Sequence, residues 1–285
     1  MKNIIEESSE LIEIAASQTV RLIDYINQPK IEAQKYFINA VKNSNKISEK
    51  EAIALICNSR KIIRELANCE TILENAKNHF FDNTDKKIDD VYIDCDWLNV
   101  FFDKARLISN IDLQIIWSHM LSKKMENPQL ISLSLLHSIS IMSTEQANFF
   151  CNMCRFCFRG YHNNIIHPLL FLSTNVETYE LSGITDKKLR ELNRLGLIEY
   201  MPKEEFIIPN KFVFESGNRV VAVYGDPNNK KIIKVGNVFF TDDGSDLYSV
   251  VEETLNKYQV NILDFTIEKL RNRNCKITIN DRPIL

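Results

Sequence analysis

Across residues 48–81 two seven-residue series interleave. One holds Leu55, Ile62, Cys69 and Ala76; the other holds Ser59, Leu66, Leu73 and Phe80, with Ser59 its one polar member. Such series are the a and d positions of a heptad, and they predict a long helix with an apolar seam. Ser48 followed by Glu51 supplies a capping-box start. A partner stripe through Ile5, Ile12, Ala15, Thr19, Leu22 and Ile26 predicts a first helix that ends before Pro29, with a shorter helix over 29–45. Two long helices with matched seams form an antiparallel hairpin over residues 1–81. The seam can instead serve between subunits, with Leu55, Ile62, Leu66 and Leu73 as the protein interface; heptad spacing does not separate the two uses.

A polar stretch from Asp82 to Asp90 predicts a linker. Residues 91–175 then carry helical spacing with clear punctuation. Asp94-Cys95-Asp96-Trp97 opens a helix containing Leu98, Phe101, Phe102, Ala105 and Leu107, and Ser109 or Asn110 caps the next, which stops before Pro128. Another helix is expected from Ile131 to Met142. Ser143 with Gln146 opens a further one that contains Phe149, Phe150, Met153, Phe156 and Cys157. This predicts a central helical bundle.

From residue 176 to 285 the period changes. Leu189, Leu192 and Leu195 define an amphipathic helix that ends at Gly196, where a left-handed cap fits. Short apolar runs follow at Phe206–Ile208, Phe212–Phe214, Val220–Tyr224, Ile232–Val235 and Val238–Phe240, then a helix with Leu247, Val250, Val251 and Leu255, then a strand over Lys276–Ile279. The expected fold is mainly α, a helical hairpin and a bundle followed by a small α+β domain.

Composition narrows the function classes. The 285 residues contain only seven Gly and seven Pro, few for an all-β chain, and a net charge of −3 gives no global attraction to nucleic acid or anionic lipid. The early acidic residues and the lack of a long apolar run predict neither a secretory signal nor a membrane span. Seven scattered cysteines do not make a secreted disulfide scaffold. These features predict a cytoplasmic protein without a membrane partner.

Asp96-Trp97-Leu98, Phe101-Phe102, Gln114-x-x-Trp117-x-x-x-Leu121, Pro128 and Ser132-Leu133-x-x-Leu136 resemble an uncharacterised bacterial family of domain-of-unknown-function proteins. Some of its members are associated with abortive infection and phage defence. The resemblance covers roughly residues 94–150. It implies Glu at the position of Lys124 and Arg at that of Ser134, so a charged pair in relatives is absent here. The C-terminal part resembles a winged helix through Leu189-x-x-Leu192-x-x-Leu195-Gly196-Leu197-Ile198 and Phe240-Thr241-x-x-Gly244-x-x-Leu247. That resemblance implies a helix able to enter a major groove, bearing Lys187, Lys188, Arg190 and Arg194 among Asp186 and Glu191.

Two further clusters suggest chemistry. Cys151, Cys154 and Cys157, with His162 downstream, are zinc-type ligands, yet cysteines three apart drift round a helix, and cysteine also packs as a small hydrophobe. Arg155 and His162 fit loosely the R-x(4–6)-H spacing of the nucleotide-binding helical ribonucleases of prokaryotes and higher eukaryotes, in which Arg and His bracket a scissile phosphate. Asp94 and Asp96 are best explained by capping a helix start. No phosphate loop, nucleophile elbow or HExxH pattern occurs. The expectation is therefore a non-enzymatic protein without a cofactor, acting through a protein partner or self-association. The alternatives are a DNA-binding regulator and a helical ribonuclease.

Overall fold

A computed structural model describes residues 19–21, 49–83, 90–161, 165–171, 179, 182–226, 231–255 and 259–281. The chain divides into two units, Met1–Leu136 and His137–Leu285. It is mixed α+β rather than helical throughout its first two thirds.

The first unit is built on α1 (Glu49–Asn83), α2 (Cys95–Ala105) and α3 (Ile111–Glu126). Asp94 accepts a hydrogen bond from Trp97 N at 2.8 Å, and Asn110 accepts one from Leu113 N at 3.1 Å, so each short helix starts on a side-chain cap. Trp97, Phe101 and Trp117 form the aromatic centre, with ring centroids 5.0 and 5.2 Å apart. Ile72, Ala76 and Phe80 of α1 are buried. The first-helix stripe is corrected at Thr19. Thr19–Arg21 is a strand, β1, paired antiparallel with β2 (Tyr92–Asp94). Val20 and Thr19 are β-branched and suit the extended backbone. The other residues of that stripe, the helix over 29–45 and the Ser48 cap lie outside the described residues.

The chain passes between the units within α4 (Leu133–Ser140). α5 (Thr144–Cys154) begins at the expected capping box, with Ser143 and Gln146 bonding reciprocally at 3.2 and 2.9 Å. The helix expected to continue through Cys157 ends at Cys154, and Cys157–Gly160 is a strand, β3. Phe156, Cys157 and Phe158 are all buried, as a strand covered on both faces requires. β4 (Ile166–Pro168) pairs with β3.

α6 (Asp186–Arg194) ends at Gly196, whose φ of 74° is the left-handed C-terminal stop. Next come β5 (Ile198–Tyr200), β6 (Phe206–Pro209), β7 (Lys211–Ser216), β8 (Arg219–Tyr224), β9 (Ile232–Gly236) and β10 (Val238–Phe240). The chain then forms α7 (Asp242–Val251), a 3-10 turn (Glu252–Thr254), α8 (Gln259–Arg271) and β11 (Lys276–Asp281). The order β11-β8-β7-β3-β4 makes a five-stranded antiparallel sheet, while β5–β10 and β6–β9 form separate pairs. One sheet face supplies Phe158, Phe212, Phe214, Val221 and Val223 to a core completed by β9 and by Leu263, Ile267 and Leu270 of α8.

Candidate functional site

The interface residues expected on α1 fall on one helix without sharing one degree of burial. Ile62, Leu66 and Leu73 are half-buried, Ile63 beside them is 43% exposed, and the side chain of Leu55 lies outside the described ones. Full burial goes instead to Asn68, Ile72, Ala76 and Phe80. Asn68 Nδ2 donates to the Arg106 carbonyl at 2.9 Å and to Ser109 Oγ at 3.3 Å, while its Oδ1 accepts from Gln114 Nε2 at 3.2 Å. Arg106 Nη1 reaches Glu65 at 2.8 Å, and its Nη2 reaches Asp103 at 2.9 Å. These bonds tie the middle of α1 to the corner between α2 and α3. Burial pushes the Cys69 thiol up to about 11, so it stays protonated and packs as an apolar group. Further along, the His79 and His119 rings lie 4.0 Å apart, and His79 Nδ1 is 2.8 Å from Ser122 Oγ. His119 is therefore part of a helix-to-helix contact. Sequence spacing carries no sign of it, because the two rings come from different helices.

Lys124, where the resemblance implies Glu, is only 6% exposed. Its Nζ donates to the Leu130 and Ile131 carbonyls at 2.8 and 3.3 Å and lies 5.0 Å from the Trp97 ring centroid. Trp97 Nε1 donates to the same Ile131 carbonyl at 2.7 Å. Ile131 has φ of 55°, an unusual conformation for a β-branched residue, and the converging donors hold it there. Ser134 Oγ meets Ser132 Oγ at 2.7 Å. The family-like blocks thus build a packed turn.

The basic residues of α6 divide into two pairs. Lys188 is bridged to Glu145 at 3.4 Å and lies 5.6 Å from the Phe149 ring centroid. Arg190 bonds Asp186 through Nε at 2.7 Å, and Tyr200 donates its hydroxyl to the same carboxylate at 2.6 Å. Arg190, and then Tyr200, hold the Asp186 carboxyl below the usual carboxylate range. Lys187 and Arg194 are exposed and make no ion pair among the described residues.

Cys151 is half-buried, whereas Cys154 and Cys157 are buried. Burial raises the thiols of Cys151 and Cys154, which disfavours the thiolate needed by a metal ligand or nucleophile. Among the described residues no three His, Cys, Asp or Glu side chains are placed to hold a metal ion. Arg155 is exposed beyond α5, and His162, common to the metal and ribonuclease alternatives, lies outside the described residues.

His167, which like His162 follows the Cys151, Cys154 and Cys157 cluster in sequence and could be read with it as a zinc-type ligand, is a buried side chain. Its ring stands edge-on to Phe212 and Phe239, and its Nδ1 has no hydrogen-bond partner. Burial pushes its pKa down to about 4 and keeps the imidazole neutral.

Among the described residues no helix is long and apolar enough to cross a membrane. No curated protein and no solved structure matches the chain. Residues 57–197, from the early turns of α1 to the residue before β5, match the model of a family described as "Protein of unknown function (DUF2806)".

Proposed function

We propose that this is a cytoplasmic, non-enzymatic protein that works through protein contacts, and that α1 makes them with a second copy of the chain. The supporting observation is the mismatch between α1 and its packing. At 1.5 Å of rise per residue, 35 residues run about 52 Å, whereas the 16 residues of α3 run about 24 Å. No side chain described between residues 58 and 67 is fully buried, although Ile62, Ile63 and Leu66 lie there. Apolar residues at heptad spacing without full burial suit a two-fold helix pair, in which the seam of one copy meets that of the other. A place in bacterial phage defence rests on the family resemblance alone.

Light scattering after size exclusion tests the pairing. The wild-type chain is expected to run as a dimer, and an Ile62→Asp, Leu66→Asp variant as a monomer with unchanged far-UV circular dichroism. A monomeric wild type, or a mass indifferent to the double substitution, overturns it.

The order α6, β5, β10, α7 favours a second reading. β10 returns antiparallel to β5, with Val238 opposite Tyr200 and Phe240 opposite Ile198, as the ribbon strands of a winged helix do. In that view β6 to β9 occupy an enlarged wing. Duplex DNA would then meet α6 through Lys187 and Arg194, because Lys188 and Arg190 are held by carboxylates. A gel shift at two salt concentrations decides it. Salt-sensitive binding lost in Lys187→Glu, Arg194→Glu supports duplex contact, and absent or salt-insensitive binding discards it.

A further inference from the structure

Strand alternation sends Phe158, Phe212, Phe214, Val221 and Val223 into the core, so their sequence neighbours form the other face of the five-stranded sheet. Register orders that face into rows across β7, β8 and β11. The first row is Lys211, Tyr224 and Lys276; the second is Val213, Ala222 and Thr278; the third is Glu215, Val220 and Asn280. Both lysines of the first row are exposed, as are Thr278 and Asn280, and Tyr224 keeps 37% of its surface.

The first row is exposed, with the Lys211 ammonium over the Tyr224 ring. Neither lysine makes an ion pair among the described residues, and the Tyr224 hydroxyl has no hydrogen-bond partner there. Lys211 Nζ lies 5.3 Å from the Tyr224 ring centroid. Neighbouring strands are about 4.8 Å apart, so two ammonium-bearing residues bracket one ring across about 10 Å. Glu215 stands two rows away, about 14 Å along β7 at about 3.4 Å per residue. It lies beside Arg159 in register, and Arg159 is paired with Glu252. Asp226, two residues beyond Tyr224, is the nearest carboxylate in sequence and is itself engaged.

An exposed aromatic ring between two cations that make no ion pair among the described residues matches what a single strand presents. The ring offers a stacking face to a base, and the cations meet the phosphates on either side. A duplex keeps its base faces stacked inside and cannot use the ring. We infer that Lys211, Tyr224 and Lys276 form a binding site for single-stranded nucleic acid. One base stacks on Tyr224 in place of the Lys211 ammonium, which turns to a flanking phosphate, while Lys276 takes the other. The site is independent of α1 and of α6.

Fluorescence anisotropy of the full chain with labelled oligodeoxythymidylate and oligouridylate of about 15 nucleotides tests the site, with a blunt duplex for comparison. Single strands are expected to bind more tightly than the duplex, and the two sugars are told apart by their relative affinities. Tyr224→Ala should weaken binding at least about 5-fold, whereas Tyr224→Trp preserves it. Lys211→Gln, Lys276→Gln should lower the salt-dependence slope by about 1.4, or about 0.7 for each phosphate that is no longer neutralised. Thermal melts check the fold of each variant, and Tyr224→Leu carries the test if the alanine variant unfolds. Four outcomes overturn the site: no binding at low salt, affinities unmoved by these substitutions, loss only on Lys187→Glu, Arg194→Glu, or displacement of the oligonucleotide by polyglutamate at equal charge.

Discussion

Lowering the pH from 7 to 5 should loosen the second unit through one residue, His167. The ring is 5% exposed, with Phe212 and Phe239 at 4.8 and 5.4 Å between centroids and no partner for Nδ1. Its pKa falls from 6.5 to about 4 on burial, with no charged neighbour among the causes. The sign follows from proton counts. Below pH 6.5 the unfolded chain takes up a proton that the folded chain refuses, so stability is complete above that pH and is lost as pH falls towards 4. The loss between pH 7 and 5 works out to about 1.8 kcal/mol, with a ceiling of about 3.4 kcal/mol below pH 4.

Both tryptophans, Trp97 and Trp117, belong to the first unit, so indole emission does not report on this event. Hydrogen exchange by mass spectrometry on peptides from β3, β4 and β7 does. After correction for intrinsic rates, protection in the wild type should drop about 20-fold more than in His167→Leu over this pH range. The leucine variant keeps an apolar side chain that cannot titrate. Parallel pH profiles, or an imidazole titrating near 6.5 by NMR, would refute the buried neutral histidine.

Gly244→Ala should cost at least about 2 kcal/mol, because the added Cβ would stand 1.8 Å from the Leu197 carbonyl oxygen where α7 starts; an unchanged thermal midpoint would refute that close approach. Trp97→Phe removes the 2.7 Å bond to the Ile131 carbonyl and should cost about 1–3 kcal/mol in urea unfolding. Combined with Lys124→Met it should depart from additivity, since both donors meet that one carbonyl. Strict additivity would mean that they do not jointly hold the turn.

Where local pattern and tertiary demand agree, the elements are legible in the sequence. α6 with its Gly196 stop, the capping box of α5 and the short strands β6 to β10 all announce themselves by periodicity and turn residues. The spacing Leu263, Ile267, Leu270 is equally regular, yet α8 escapes notice because no cap or proline marks its start. β3 is hidden for a different reason. Its residues continue the Phe- and Cys-rich spacing of α5, and a run buried on both faces carries no alternation to distinguish strand from helix. On α1 the heptad names Ala76 and Phe80 correctly as core. Asn68 lies outside both heptad series and is buried all the same, because Arg106, Ser109 and Gln114 satisfy its amide. Lys124 is buried on the same terms, and no reading of one helix could supply the carbonyls that receive it.

The same contrast governs where charge remains available to a ligand. On α6 the cations are close in sequence to acids, and helix geometry brings them together: Arg190 follows Asp186 by one turn, and α5 delivers Glu145 to Lys188. A basic stretch on a helix can thus neutralise much of itself, and counting its lysines and arginines overstates its field. On the sheet the logic reverses. Lys211, Tyr224 and Lys276 are scattered in sequence, and antiparallel register makes them neighbours while alternation and row spacing hold Glu215 away. Cations assembled by tertiary register do not bring their local acids with them. Among the described residues, cations without an ion pair therefore stand on the β7, β8 and β11 face, which no motif singles out, as well as at Lys187 and Arg194 of the helix that looks basic.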